Sequence, residues 1–243
     1  MMKSLSSIIF VGVISLLTIT TSTFASLSID NLNDPTVIDF TGFNGSGFSP
    51  TPSAGQLDSD TWSVTGLSDG SLGFGGTANT GDFARGSSTG GVGTGGIYAF
   101  EVSPGNTSLG VQPGATDWTL GSFVLRLQNN TGVTITSLEI DYNVYIYNNA
   151  DRSNSFNFFH SATNDFPVDT ALLTVTSPLG EDTSPSWVQT SQSTTLSGLS
   201  IADGEDYFLR WFGDDISGED TRDEFGLDDI EINAVPELSL IHI

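Results

Sequence analysis

The sequence predicts an all-β chain folded as two packed antiparallel sheets. Three observations carry this. No strong helical periodicity exists after residue 25. Short runs rich in β-branched and aromatic residues recur instead, separated by Gly, Asn, Asp, Ser and Pro. Several runs alternate apolar with polar residues, the period of a strand with one buried face. About 210 residues without an internal linker suit one large sandwich, with 26–35 as a lead-in and 36–233 as the domain.

Taken in order, Thr36 to Phe40, Trp62 to Thr65 and Ile97 to Val102 read as strands. Phe123, Leu125 and Leu127 alternate with Val124 and Arg126. Ile140, Tyr142, Val144 and Ile146 alternate with Glu139, Asp141, Asn143 and Tyr145, a clean half-buried strand. Ser155 to His160, Leu172 to Thr176, Trp187 to Thr190 and Thr194 to Leu199 follow. Tyr207, Leu209 and Trp211 alternate with Phe208, Arg210 and Phe212, and Asp228 to Ile232 closes the set. Between the second and third strands, Gly66 to Gly96 holds twelve glycines in thirty-one residues. That tract reads either as long permissive turns or as a loop whose backbone approaches a ligand. Within it, Asp82 and Arg85 form a charged pair that can tie the loop to itself.

The two ends read differently. Met1-Met2-Lys3, the apolar run Ile8 to Ile19 and Thr23-Phe24-Ala25 form a secretory signal, with cleavage expected after Ala25. The apolar run is short for a membrane span. At the other end, 234–237 contains Val235-Pro236-Glu237, and 238–243 (Leu-Ser-Leu-Ile-His-Ile) resembles a translated sequencing-adapter end. His242 therefore enters no functional argument.

Charge excludes several function classes. The 243 residues carry 6 Lys and Arg against 29 Asp and Glu, a formal net charge of -23, with no Cys and two His. A surface so acidic repels phosphate, so nucleic acid is not an expected partner. There is no thiol chemistry, no Cys or His set for zinc, and, beyond Lys3, no lysine for a Schiff base. With 37% hydrophobic and 10% aromatic residues the chain can still build a core.

Candidate sites lie in three places. Twelve acids fall between Asp203 and Glu231, opposed only by Arg210 and Arg222. Asp214, Asp215, Glu219 and Asp220, with Asp228, are hard oxygen donors of the kind Ca2+ takes, although the spacing is not an EF-hand. The alternative is a solvated acidic loop. Asp228 also shares the expected face of Ile230 and Ile232, where Arg210 would be its partner in a buried clamp. Tyr145 and Tyr147 share a strand face with Asp141 and Asn143, an arrangement suited to a sugar ring; the alternative is ordinary cross-strand pairing.

Catalytic patterns are incomplete. Laminarinase-type hydrolases also place carboxylates on one strand face, and Glu139 and Asp141 fit, but the next position is Asn143 and an amide is not a general acid. His160 lacks a G-x-S-x-G elbow and reads as a strand-end packing residue.

Several segments together carry a resemblance. Gln56 to Trp62, Gly81 to Gly86, Gly95 to Phe100, Leu120 to Phe123, Thr136 to Leu138, Leu209 to Trp211 and Leu227 to Asp229 resemble a recurrent exported bacterial β-sandwich. Val235-Pro236-Glu237 resembles the start of the sorting signal of PEP-CTERM exoproteins, without its second Pro, transmembrane helix or basic cluster. The resemblance implies a jelly-roll or lectin-like sandwich, exported to the cell envelope or extracellular matrix of a Gram-negative bacterium and handled by exosortase-type sorting machinery. It implies no catalytic site. The resulting expectation is a non-enzymatic matrix or envelope protein with polysaccharide or Ca2+ as candidate ligands. A glycan-active hydrolase and a Ca2+-dependent adhesin are the alternatives.

Overall fold

The computed structural model describes residues 26–32, 34–166, 171–217 and 222–235. The leader, Pro236-Glu237, the tail 238–243, Glu219 and Asp220 lie outside them. Among the described residues, sixteen strands build two seven-stranded sheets and a two-stranded pair, β3 (Phe48–Ser49) with β4 (Leu57–Asp58). The first sheet runs β13 (Leu173–Thr176), β12 (Asn154–Ser161), β15 (Asp206–Asp215), β10 (Ser122–Asn129), β5 (Trp62–Leu67), β6 (Gly70–Leu72). The second runs β14 (Trp187–Ile201), β11 (Ile135–Tyr147), β16 (Glu224–Val235), β9 (Asn106–Gln112), β8 (Gly96–Ser103), β7 (Ser87–Ser88). β1 (Leu27–Ile29) joins the first sheet, parallel to β10, and β2 (Thr36–Ile38) joins the second, antiparallel to β16. The expected sandwich is therefore present. It begins earlier than residue 36, because Ile29 is buried against the core.

Alternation along each strand decides what fills the space between the sheets. Ile140, Tyr142, Val144 and Ile146 all face inward, as do Tyr207, Leu209 and Trp211. Trp211 is fully buried, and its ring lies 5.6 Å from Tyr142 of the opposite sheet and 5.5 Å from Phe158. Phe156 stacks on Phe225 across the same gap at 5.4 Å. Without disulfides, these cross-sheet aromatic contacts supply much of the apolar burial that holds the layers together.

Three departures from the sequence expectation bear on the outer face of the second sheet. The segments 187–190 and 194–199 are one strand, since Ser191 to Ser193 stay in register with Asn143 to Asp141. β9 reads as a turn in sequence because it holds Asn106, Ser108 and Gly110. Its glycine is needed where it sits, for a Cβ at Gly110 would overlap the Phe100 ring. In β16, Asn143 pairs with Asp228 while Asp141 pairs with Glu231, so β16 carries an extra residue. Asp229 takes φ 48 there. This bulge reverses the alternation. Ile230 and Ile232 face the core, but Asp228 faces the outer side with Asn143.

Candidate ligand-binding face

The outer face of the second sheet gathers the predicted ligand residues. Asp141, Asn143, Tyr145 and Tyr147 line up along β11 and pair with Ser193, Ser191, Gln189 and Trp187 of β14. On the other side they meet Glu231, Asp228, Gly226 and Glu224 of β16. Gly226 pairs with Gly110, so two adjacent strands lack side chains in one row and leave a trough. Phe100, Tyr98, Val102 and Tyr145 fill it as a second, smaller apolar cluster. Tyr98 stacks on Phe100 at 5.2 Å, and Phe100 meets Trp187 at 4.9 Å. Tyr145 is thus part of a packed layer, 8% exposed, rather than an open platform.

The glycine-rich tract folds down onto this face. The fully buried Glu224 accepts hydrogen bonds from Gly91 N (3.0 Å) and Val92 N (2.5 Å). Burial outweighs those donors and pushes its carboxyl up to about 7. Trp187 Nε1 donates to Thr89 O at 2.9 Å, and Tyr98 OH donates to Thr94 O at 2.9 Å. Farther back, the buried Asp82 pairs with Arg85 and accepts from Ser68 Oγ (2.6 Å) and Asp69 N (2.8 Å). The charged pair ties the tract to the β5–β6 turn of the first sheet as well as to itself.

Two hollows remain open on the face. One, of about 490 Å³, is walled by Trp187, Tyr147, Thr89, Glu101 and Ser103. Trp187 and Tyr147 are each half-buried, with ring centroids 5.2 Å apart at 56°. The other, of about 320 Å³, is polar and lined by Asp141, Asn143, Ser191, Ser193, Asp229 and Glu231. Asn143 is locked there: its Nδ2 donates to Asp229 Oδ2 at 2.9 Å, and its Oδ1 accepts from Ser191 Oγ at 2.7 Å. A larger hollow of about 580 Å³ between 37–43 and 52–57 offers no aromatic face, because Phe40 and Phe43 are each 4% exposed.

Of the expected acidic set, Glu219 and Asp220 lie outside the described residues, and the other three fall on different sheets. Asp214 and Asp215 end β15 in the first sheet, and Asp215 is engaged by Arg222 at 3.0 Å. Arg222, 3% exposed, also donates to Gly114 O (2.7 Å) and Thr119 Oγ1 (3.1 Å). Asp228 belongs to the second sheet and its bulge turns it outward, so it does not join that pair. Arg210 is not its partner either. It projects from the outer face of the first sheet, with its guanidinium 4.5 Å from the ring centres of both Phe159 and Phe166. Asp228 Oδ1 instead accepts from Asp229 N at 2.9 Å, Oδ2 is buried with no partner, and burial raises the carboxyl to about 7. Among the described residues, no group of three or more His, Asp or Glu is placed to hold a metal. His160 closes its strand as a packing residue, its Nδ1 2.5 Å from Tyr207 OH.

Sequence reasoning named Tyr147 as a ligand residue and Trp187 as the start of a strand, and did not join them. The signal was the strand register: Tyr147 stands directly opposite Trp187. Glu224 and Glu101 went unnoticed because neither sits in a motif.

Fold and face define a class: a two-sheet β-sandwich whose outer face carries an aromatic groove beside a polar hollow. No protein-family model matches the chain, and no curated protein matches it in sequence. Among solved structures, it is similar to the K1 cleaved adhesin domain of Lys-gingipain from Porphyromonas gingivalis W83. Identity there is 15%, coverage 84% of this chain and 100% of that one, and TM-score 0.40. It is also similar to the N-terminal endo-1,4-beta-D-xylanase 10B of Clostridium thermocellum, comprising CBM22-1 and GH10 modules complexed with xylohexaose. The match covers 73% of this chain but 27% of that one, at 15% identity and TM-score 0.36. A third likeness is the CBM22-1 xylan-binding domain from Paenibacillus barcinonensis, at 12% identity over 58% of this chain and 81% of that one, TM-score 0.33.

Proposed function

We propose that this protein is a non-catalytic, exported β-sandwich that binds polysaccharide in the groove between Trp187 and Tyr147. The observation that carries this reading is the pair of half-exposed rings set at 56° in an open hollow of about 490 Å³. Groove size, aromatic lining and a few polar groups are what a small-ligand or oligomer site requires. Glu101, Ser103 and the Thr89 hydroxyl supply acceptors and donors for sugar hydroxyls. Export to the envelope or matrix rests on the leader and on Val235-Pro236-Glu237.

A hydrolase reading has one observation in its favour: Asp141 lies directly opposite Glu231 on the neighbouring strand. Both side chains are exposed to water, so burial does not set one apart as the acid and the other as the base. Binding without turnover is therefore the reading adopted.

The test is titration against a panel of soluble xylan, β-glucan, galactan and uronate polymers, with and without Ca2+, alongside reducing-end release. The expected result is saturable binding that Trp187→Ala weakens by about tenfold or more, as loss of a central aromatic anchor does. Binding to no glycan, or binding indifferent to Trp187→Ala, overturns the reading. Release of reducing ends abolished by Asp141→Asn would establish the hydrolase instead.

A further inference from the structure

Among the described residues, four strands end the main order of the two sheets, and three are short: β13 has four residues, β6 three and β7 two; β1 and β2, which pair off that order, have three each. Short edges are a common defence against unwanted pairing. β14 is different. It has fifteen residues and, among the described residues, pairs on one side only, with β11. From Trp187 to Ser197 the register against β11 is unbroken. The first irregularity comes after Ser197, where Gly198 takes φ 71. Eleven consecutive residues thus form a straight edge.

That edge has none of the usual guards. Trp187 to Ile201 contains no Asp, Glu, Lys, Arg, His or Pro, in a chain of net charge -23. Val188 is 54% exposed on it, and half of its other residues are open to solvent. A long, regular, uncharged edge presents free N–H and C=O groups to another strand.

We propose that β14 is the self-association surface of this protein, pairing antiparallel with β14 of a second copy about a two-fold axis. The occupant follows from charge. Two copies each carrying so many carboxylates repel, and repulsion is least along a segment that has none. Set antiparallel against itself, β14 brings Ser, Thr and Gln opposite Ser, Thr and Gln, and such pairs hydrogen-bond across strands. Every other edge is too short to match its length. An isologous pairing of this kind also closes, leaving no further edge of that type.

The acids nearest the seam, Glu139 and Asp141, lie one strand back on β11, about 5 Å from β14 and about 10 Å from its copy. That spacing is comparable to the Debye length at physiological salt, so added salt should strengthen the dimer rather than dissolve it. The test is sedimentation of the exported chain over a range of concentrations at low and high salt, with backbone hydrogen exchange of 187–197. A monomer–dimer equilibrium is expected whose dimer fraction rises with salt and in which β14 amides slow on dimerisation. Gln192→Lys, which places a charge on the inner margin of the edge, should raise the dimer Kd by about tenfold or more (about 1.4 kcal/mol). Thr195→Asp, on the outer face beside Glu139, serves as a second variant: it adds a carboxylate at the seam on the water-facing side and should weaken the dimer without unfolding the monomer. A chain that stays monomeric at every concentration and salt overturns the proposal. So does a dimer whose β14 amides exchange as in the monomer, or one that neither substitution weakens. Oligosaccharide binding by monomers is read separately, because neither substitution touches Trp187 or Tyr147.

Discussion

Replacing Asp228 by Asn should stabilise this protein at pH 8 and do far less at pH 5. Asp228 is fully buried on the outer side of β16, with one carboxylate oxygen bonded to Asp229 N and the other without a partner. Its pKa rises from 3.8 to about 7, chiefly through burial. Between those values the folded chain binds more protons than the unfolded one, so stability falls as pH rises across the interval and levels off above it. At about 1.4 kcal/mol per pH unit, ionisation disfavours the folded state by about 4 kcal/mol at pH 8 and by less than half of that at pH 5. Asn keeps an acceptor for Asp229 N and never ionises. The variant's advantage over the parent should therefore grow by about 2–3 kcal/mol from pH 5 to pH 8. For a domain of this size that is about 5–10 °C in Tm. The assay is calorimetric melting of both proteins in EDTA at half-unit pH steps. An advantage that does not grow with pH, or a variant less stable than the parent at pH 8, refutes the reasoning.

Three further substitutions probe the same architecture. Trp211→Ala empties the contact between Tyr142, Phe158 and Trp62 at the centre of the core, and should cost about 3–5 kcal/mol by denaturant unfolding. Glu224→Ala removes the acceptor shared by Gly91 and Val92, so hydrogen exchange should show those two amides losing protection while the β11 amides keep theirs. Gly110→Ala puts a methyl group into the Phe100 ring and should cost about 1–3 kcal/mol, with a change in Trp187 fluorescence as Phe100 is displaced.

Strand identity was legible in sequence wherever one face meets water. β11 shows this best, because its outward residues are polar and its inward ones apolar. β9 was not legible, because both of its faces are covered and its residues were chosen for size. Ser108 and Gly110 lie under Val102 and Phe100, and small residues in a strand look like a turn. The candidate site divided the same way. Asp141, Asn143, Tyr145 and Tyr147 were correctly placed on one face from their spacing alone. Whether each is open or packed depends on its neighbours across the sheet. Gly226 lets Tyr145 sink, while Trp187 and the loop at Thr89 hold Tyr147 at the rim. Asp228 was assigned to the wrong face because a one-residue bulge, invisible in the letters, inverts every side chain beyond it.

The five arginines have a consequence for how this protein meets proteases. Past Lys3 they are the only positions where a protease specific for basic residues can cut. Arg126 and Arg222 are buried at 8% and 3%, and Arg85, Arg152 and Arg210 are each half-buried. Arg126 and Arg210 lie within strands, where the backbone must leave its ladder before it can enter an active-site cleft. Cleavage by a trypsin-like enzyme at those two sites therefore has to wait for local or global opening. A chain with no lysine past Lys3 and every arginine at least half hidden has few handles for proteases of this specificity. Its lifetime against them is set by how often the sandwich opens.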